Sequence, residues 1–172
     1  MTKGYLQVYT GNGKGKTTAA VGLAIRSAGA GLHVLFAQFV KGQRYSEIVA
    51  LERFDDNITI RQYGRECFIR RQPEKADIEA AARGLRDVTA SLNSGDYDVV
   101  ILDEATIALQ YALFTLDALL EIIRGRPAHC EVVITGRYAP PELIEEADLV
   151  TEMKDIKHYY RQGVAARDGI ER

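Results

Sequence analysis

A glycine- and lysine-rich segment, Thr10-Gly-Asn-Gly-Lys-Gly-Lys-Thr-Thr18, constrains the fold of this chain more than any other stretch. It follows residues 5–10, which alternate in polarity and are rich in β-formers, and it precedes a proline-free run at 17–28. The segment matches the phosphate-loop pattern of glycine, four residues and Gly-Lys-Ser/Thr, except that Thr10 replaces the first glycine. A strand, such a loop and a helix in this order predict a nucleotide-binding α/β fold.

The residue types in this loop suit phosphate binding. Glycines let successive backbone amides turn toward phosphate oxygens without a Cβ in the way. Lys16 adds a positive charge, the N-terminus of a helix beginning at Thr17 adds a partial one, and the Thr17 hydroxyl is a ligand for Mg²⁺. The predicted nucleotide-binding residues of the loop are Gly11, Asn12, Gly13, Lys14, Gly15, Lys16, Thr17 and Thr18.

Strand-like and helix-like patterns alternate along the rest of the chain. Runs such as 33–40 are almost continuously apolar, as in parallel strands that are buried on both faces. Strands are predicted at 5–10, 33–40, 58–63, 99–102, 131–135 and 149–153, the last as a core strand. Helices are predicted at 17–28, 46–54 (with Ile48, Val49 and Leu51 inward), 74–93 (with Ile78, Ala82, Leu85, Val88 and Leu92 inward), 106–114, 116–125 and 140–147. We therefore expect one domain over residues 1–172, with a P-loop (RecA-like) three-layer α/β fold and a mostly parallel sheet of about six strands between helices.

An acidic pair, Asp103-Glu104, directly follows the apolar run 99–102. Ligands of open α/β sheets collect at the carboxyl ends of the strands, and carboxylates are Mg²⁺ ligands. The sequence therefore predicts a metal site formed by Thr17 with Asp103 or Glu104, and spacing does not decide which carboxylate contacts the ion. Arg137 also follows a strand, where it would either reach the phosphates or cap the turn.

Composition excludes several classes of protein. The 22 Lys and Arg against 24 Asp and Glu give a net charge of −2, which does not supply the basic field of a nucleic-acid-binding protein. No segment approaches the roughly 20 apolar residues that span a bilayer, so no membrane is expected. Cys67 and Cys130 form neither a CxxC motif nor a disulfide framework, which fits a reducing cytoplasm.

These features predict binding of MgATP or a related nucleotide, and they leave the reaction open. A hydrolase would use Glu104 or a neighbour to activate water, whereas a small kinase would place an acceptor hydroxyl at the terminal phosphate. A nucleotide-dependent binding module without catalysis is a third reading.

Several short motifs, taken together, resemble those of the ATP:corrinoid adenosyltransferase family, the cob(I)yrinic acid a,c-diamide adenosyltransferases. They are Gly11 to Ala19, Gln38-Phe-Val-Lys-Gly42, Leu102-Asp-Glu104, Ile134-Thr-Gly-Arg137, Lys157-His158, Gly163-Val164 and Gly169-Ile170. The resemblance implies that reduced cobalt in a corrinoid attacks the 5′-carbon of ATP and displaces triphosphate. It further implies Lys16 as the main cation and Thr17 and Glu104 as Mg²⁺ ligands.

The resemblance also implies a corrinoid site and partners. In the family, a loop after the third strand presses aromatic side chains against the corrinoid, and here that loop contains Arg65 and Phe68. We expect Phe68, Arg65 and Gln38 to contact the corrinoid, although the chain has no Trp where better-known members have one. The expected partners are an electron-donating reductase and a second subunit. The acceptor is left open among cobyrinic acid a,c-diamide, cobinamide and cobalamin.

Overall fold

A computed structural model describes residues 2–65 and 72–171 of the chain. The strands are β1 (Leu6–Thr10), β2 (Val34–Lys41), β3 (Ile58–Arg65), β4 (Val99–Asp103), β5 (Glu131–Thr135) and β6 (Leu149–Glu152). The helices are α1 (Lys16–Gly29), α2 (Ser46–Leu51), α3 (Lys75–Ser94), α4 (Ala105–Gln110), α5 (Leu116–Arg124) and α6 (Pro141–Glu146). Short 3₁₀ helices cover Glu52–Phe54 and Tyr159–Gln162.

The six strands form one sheet in the order β3-β2-β4-β5-β1-β6, and every paired strand is parallel to its neighbour. The central strands are apolar because helices cover both of their faces. In β4 all five residues are buried, as the continuous apolar run predicts. The predicted α/β fold with a parallel sheet of about six strands is confirmed.

Two hydrophobic clusters lie on opposite faces of the sheet. On one face α1 and α2 cover the strands, with Ala20, Ala24 and Leu51 fully buried against Phe36. On the other face lie α3, α4, α5 and α6. The molecule therefore has the predicted three layers.

Two apolar helix residues predicted to be inside are exposed. Val49 and Ile78 are 41% and 43% exposed, because their neighbours on the turn, Ile48 and Ala81, occupy the buried face of each helix. Strand β6 is the larger difference, since all four of its residues are exposed. It is an edge strand paired only through β1, so the expectation of a core strand at 149–153 is wrong.

The element boundaries agree with the prediction to within a few residues. Thr115 caps α5 by accepting a hydrogen bond from the Ala118 amide at 3.2 Å. Helix α4 ends at Gln110 rather than at the predicted Phe114, because Ala112 adopts a left-handed conformation with φ of 51°. Within the described part of the chain, no helix has both the length and the apolar character needed to cross a membrane.

Candidate functional site

A cleft of about 590 Å³ opens at the carboxyl ends of the strands, where the loop after β1 faces residues that follow β2, β4 and β5. The strand order brings these ends together although they are far apart in sequence. Its lining includes Gly13, Lys14, Gly15, Lys16, Thr17, Thr18, Lys41, Glu104, Arg137, His158, Gly169, Ile170 and Glu171. Six of the eight predicted loop residues are among them, together with Glu104 and Arg137, whereas Gly11 and Asn12 lie at the entrance of the loop.

The phosphate loop leads directly into α1. Gly15, with φ of 120°, is the residue before the helix, and the helix begins at Lys16, one residue earlier than predicted. The buried Lys16 Nζ donates hydrogen bonds to the carbonyl oxygens of Gly11 and Gly13, both at 2.7 Å. Burial and the nearby Arg137 lower the pKa of Lys16. The ammonium group is therefore held inside the ring formed by the loop.

Thr10, which replaces the first glycine of the pattern, connects the loop to the segment that follows the neighbouring strand β5. Its hydroxyl accepts a hydrogen bond from the Ala139 amide at 3.3 Å. A glycine has no hydroxyl to make this contact. The substitution therefore fixes the start of the loop against the turn that carries Arg137.

Asp103 is fully buried at the end of β4 and accepts hydrogen bonds from three side chains. The Thr17 and Thr135 hydroxyls donate to its Oδ1 at 2.9 and 2.6 Å, and Gln38 Nε2 donates to its Oδ2 at 2.9 Å. Gln38 itself has no exposed surface and accepts from Gln62 at 2.8 Å. The predicted corrinoid contact of Gln38 is therefore a misassignment, because a side chain buried behind Asp103 supports the carboxylate and does not line a pocket.

Lys41, at the end of β2, lies between the two acidic residues. Its Nζ is 3.3 Å from Glu104 Oε1, 3.6 Å from Asp103 Oδ2 and 3.5 Å from the Thr17 hydroxyl. Burial opposes the charge on Lys41, but the two carboxylates outweigh it and raise its pKa. Burial also raises the pKa of Glu104, while Lys41 acts in the opposite direction. Lys41 and Glu104 thus form an ion pair in a partly desolvated cleft.

Backbone strain is concentrated at this edge of the sheet. Four non-glycine residues of the described chain have left-handed φ values, and three of them are Val40 (66°), Glu104 (59°) and Tyr138 (60°). Val40 directly precedes Lys41, and Tyr138 directly follows Arg137. Lys41, Glu104 and Arg137, the cleft residues at the ends of β2, β4 and β5, are therefore each at or next to a left-handed position. Such strain costs about 1–3 kcal/mol per residue and is typical of functional sites.

Two threonines that sequence reasoning missed position the residues around the cleft. Thr135 donates to Asp103 and accepts from the Glu104 amide at 3.1 Å. Thr106 donates to the Arg137 carbonyl at 2.7 Å, and a Cβ on Gly136 would lie 2.2 Å from the Thr106 hydroxyl. The available sequence signal was that Thr135 ends a predicted strand and that Thr106 begins the predicted helix after the acidic pair.

The oxygen atoms around Thr17 suit a magnesium ion. Thr17 Oγ1 and Asp103 Oδ1 lie 2.9 Å apart, and the partly exposed Glu104 carboxylate borders the same cleft. The described residues contain no group of three or more His, Cys, Asp or Glu that would hold a metal by itself. This agrees with the usual manner of Mg²⁺ binding, in which one or two protein oxygens act together with substrate phosphates.

The first half of the phosphate loop contacts residues 153–171, which we call the C-terminal strap. The Gly13 amide donates to the Met153 carbonyl at 2.6 Å. Lys14 Nζ donates to Tyr159, to the Ile170 carbonyl and to Glu171, at 3.2, 2.7 and 2.9 Å. The Gly13 amide and the Lys14 side chain are thus engaged by protein groups, in contrast to the phosphate contacts predicted for them.

Of the two remaining residues predicted to contact the corrinoid, the structure describes Arg65 but not Phe68. Phe68 lies outside the described residues. Arg65, the last residue of β3, forms ion pairs with Glu74 and Asp77 at the start of α3. In the sheet Arg65 is in register with Lys41, which lines the cleft.

Comparison with known proteins agrees with this site. A family model described as ATP:corrinoid adenosyltransferase BtuR/CobO/CobP matches residues 2–172. A corrinoid adenosyltransferase of Pseudomonas aeruginosa is 38% identical over 98% of this chain and 84% of its own length. Corrinoid adenosyltransferase CobA of Salmonella typhimurium is 35% identical over 98% of this chain and 86% of its own length.

A structural comparison independently supports the fold. The flagellar accessory protein FlaH from Methanocaldococcus jannaschii superposes with a TM-score of 0.60 at 12% identity, covering 88% of this chain and 72% of FlaH. The fold, the phosphate-loop cleft and the sequence similarity along the whole length lead to one conclusion: this chain belongs to the ATP:corrinoid adenosyltransferase family.

Proposed function

We propose that this chain transfers the 5′-deoxyadenosyl group of ATP to the reduced cobalt(I) of a corrinoid and releases triphosphate. The observation that carries the proposal is the family match over residues 2–172, which includes the phosphate loop and every residue of the cleft. Relatives named corrinoid adenosyltransferase are 34–38% identical to this chain over 98% of its length.

In this reaction the substrate's cobalt(I) supplies both electrons of the new cobalt–carbon bond. The bond between the 5′-carbon and its oxygen breaks, and its electron pair remains on the triphosphate. The metal centre of the substrate is the nucleophile, so the protein needs no general base. Its contribution is to hold the two reactants in line, which can supply about 7–11 kcal/mol, and to stabilise charge on the leaving group.

The cations of the cleft are suited to that leaving group. Lys16, Lys41 and Arg137 all line it, and the α1 N-terminus adds a partial positive charge. Lys16 and Arg137 are close enough for Arg137 to lower the pKa of the lysine. A triphosphate between them would relieve that repulsion, which favours binding of a highly charged anion over a neutral ligand.

We further propose that Mg²⁺ binds with the nucleotide, held by Thr17 and by Asp103 or Glu104. When bound, the ion would neutralise part of the charge of the triphosphate. The contact between Thr17 and Asp103 supports this arrangement. Lys41 forms ion pairs with both carboxylates, at 3.3 Å from Glu104 and 3.6 Å from Asp103, and so keeps the two acidic side chains beside Thr17.

The corrinoid is proposed to bind over the loop after β3, with Phe68 against the macrocycle and Arg65 at its edge. The register between Arg65 and Lys41 supports this, because it puts the carboxyl end of β3 next to the cleft. The adenosyl carbon must then face away from the phosphate loop, which requires the nucleotide to lie reversed relative to that in P-loop hydrolases.

The cellular setting proposed for this enzyme is the cytoplasm, where a reductase would deliver the electron to cobalt. We also propose a homodimer, in which the second subunit would cover the corrinoid. The acceptor is a corrinoid with an accessible cobalt, that is, cobyrinic acid a,c-diamide, cobinamide or cobalamin.

Anaerobic incubation with MgATP and a chemically reduced corrinoid tests the proposal. We expect a light-sensitive alkylcobalt spectrum and intact triphosphate in a one-to-one ratio, and no product when the cobalt is left oxidised. ADP or free phosphate as the product, without any spectral change, would show that the chain is instead a kinase or an ATP hydrolase.

A further inference from the structure

The C-terminal strap forms one wall of the phosphate cleft. His158, Gly169, Ile170 and Glu171 line the same cavity as Lys16. The strap comes so close to the loop that a Cβ on Gly13 would lie 2.7 Å from the Met153 carbonyl oxygen. The strap and the loop are therefore two sides of one site.

His158 presents a hydrogen-bond donor in this wall. Its Nδ1 accepts a hydrogen bond from the Tyr160 amide at 3.1 Å, so Nδ1 carries no proton. A neutral imidazole must then have its proton on Nε2. Nε2 has no hydrogen-bond partner within residues 2–65 and 72–171. The rings of Tyr159 and Tyr160 pack against the imidazole, with centroids 5.0 and 6.4 Å away, and restrict its orientation.

Glu171 fastens the far end of the strap to the loop. Its carboxylate accepts from Lys14, from the Tyr159 hydroxyl, and from the Arg167 side chain and amide. These donors, Arg167 foremost, lower the pKa of Glu171 well below its ordinary value. The Glu171 carboxylate is therefore ionised at neutral pH and attracts the Lys14 and Arg167 cations, with only 16% of its side chain exposed.

We propose that the C-terminal strap completes the triphosphate site, with His158 Nε2–H donating to a phosphate oxygen and the Lys14–Glu171 contact holding His158 in place. The inference rests on the proposed function only in taking a triphosphate chain as the occupant of the cleft. Glu171 acts through His158 and is a positioning residue.

Calorimetric titration with inorganic tripolyphosphate in the presence of Mg²⁺ tests the proposal without ATP or corrinoid. A hydrogen bond to a charged group is strong, so we expect His158→Ala to weaken binding about tenfold or more. His158→Gln keeps an N–H donor at similar reach and should restore most of the affinity. Glu171→Gln should weaken binding to a similar extent. The double variant His158→Ala/Glu171→Gln should bind tripolyphosphate no more weakly than the single variant with the lower affinity.

Lys154→Ala and Arg161→Ala are matched controls on the same strap, because both side chains are 67% exposed and pair with other acidic residues. Both should bind tripolyphosphate like the parent. Hydrogen exchange of residues 157–171 gives a second readout and should slow when tripolyphosphate binds.

The outcomes separate this inference from the proposed function. If Lys16→Met abolishes tripolyphosphate binding but His158→Ala leaves it within about twofold, the strap is not part of the site. Faster exchange of the strap on binding would also overturn the inference. If Lys16→Met has no effect on binding, the phosphate loop is not the triphosphate site and the proposed function itself fails.

Discussion

The Thr17 hydroxyl donates a hydrogen bond to Asp103 at 2.9 Å across 86 positions of sequence. The first residue lies in the first turn of α1 and the second ends β4, two strands away from β1 in the sheet. Because Asp103 is fully buried and also accepts from Gln38 and Thr135, its carboxylate serves both the fold and the proposed Mg²⁺ site.

Asp103→Asn should therefore damage stability and metal binding together. An amide has one acceptor oxygen and places an NH₂ group against donors, which leaves buried groups unsatisfied at a cost of about 1–3 kcal/mol. We expect urea denaturation to show that loss, and MgATP binding to need at least severalfold more Mg²⁺. Asp96→Asn, an exposed aspartate just before β4, is the control and should change neither quantity. A variant with normal stability and an unchanged Mg²⁺ requirement would remove Asp103 from the site.

Lys16→Met should separate function from folding. Burial and the nearby Arg137 make the charged form of Lys16 unfavourable in the folded protein, and they therefore lower its pKa. This penalty is present below the folded-state pKa and fades as the pH rises above it, so replacing the charge does not reduce stability through electrostatics at pH 7. We expect at least a hundredfold loss of adenosyl transfer with a melting temperature close to that of the parent. Lys75→Met, at a site whose side chain is 91% exposed, should keep full activity. Normal turnover in Lys16→Met would exclude the phosphate loop from catalysis.

Sequence patterns predicted the phosphate loop, the layers of the fold and the acidic pair because these depend on local periodicity and on residues adjacent in the chain. They did not predict that Gln38 lies behind Asp103, since its burial depends on β2 pairing with β4. They also misplaced Leu149–Glu152 in the core, because apolar β-formers look alike in an edge strand and a central strand. The contact of Lys14 with Glu171 joins the two ends of the chain and has no local signature.

Tyr138 offers a test of whether strain positions Arg137. A left-handed conformation costs a non-glycine residue about 1–2 kcal/mol, while glycine gives back about 0.5–1 kcal/mol through its flexible unfolded state. Tyr138→Gly should thus be more stable than Tyr138→Ala by up to about 1 kcal/mol in urea denaturation. Since glycine loosens the turn beside Arg137, it should also bind MgATP more weakly than the alanine variant. Equal affinity in the two variants would mean that the strained turn has no role in binding.

Cys130 should be unreactive in the folded protein at mildly alkaline pH. Burial raises its pKa to about 11, well above the value of about 8.5 for an exposed thiol, and only the thiolate reacts. In a Cys67→Ser variant, which leaves Cys130 as the single thiol, labelling at pH 8 should proceed at the rate of unfolding and accelerate sharply in urea.

The same shift gives the sign of a stability change with pH. The unfolded thiol ionises above about pH 8.5 while the folded one does so only near pH 11, so the stabilisation is complete below pH 8.5 and is lost as the pH rises between these values. Cys130→Ala removes this contribution, so its free energy of unfolding should fall less between pH 8 and pH 10.5 than that of the parent. Because the two proteins differ at this position alone, the comparison isolates the thiol. Rapid labelling of Cys130 under native conditions at pH 8 would show that its thiol is not held in the buried, protonated form.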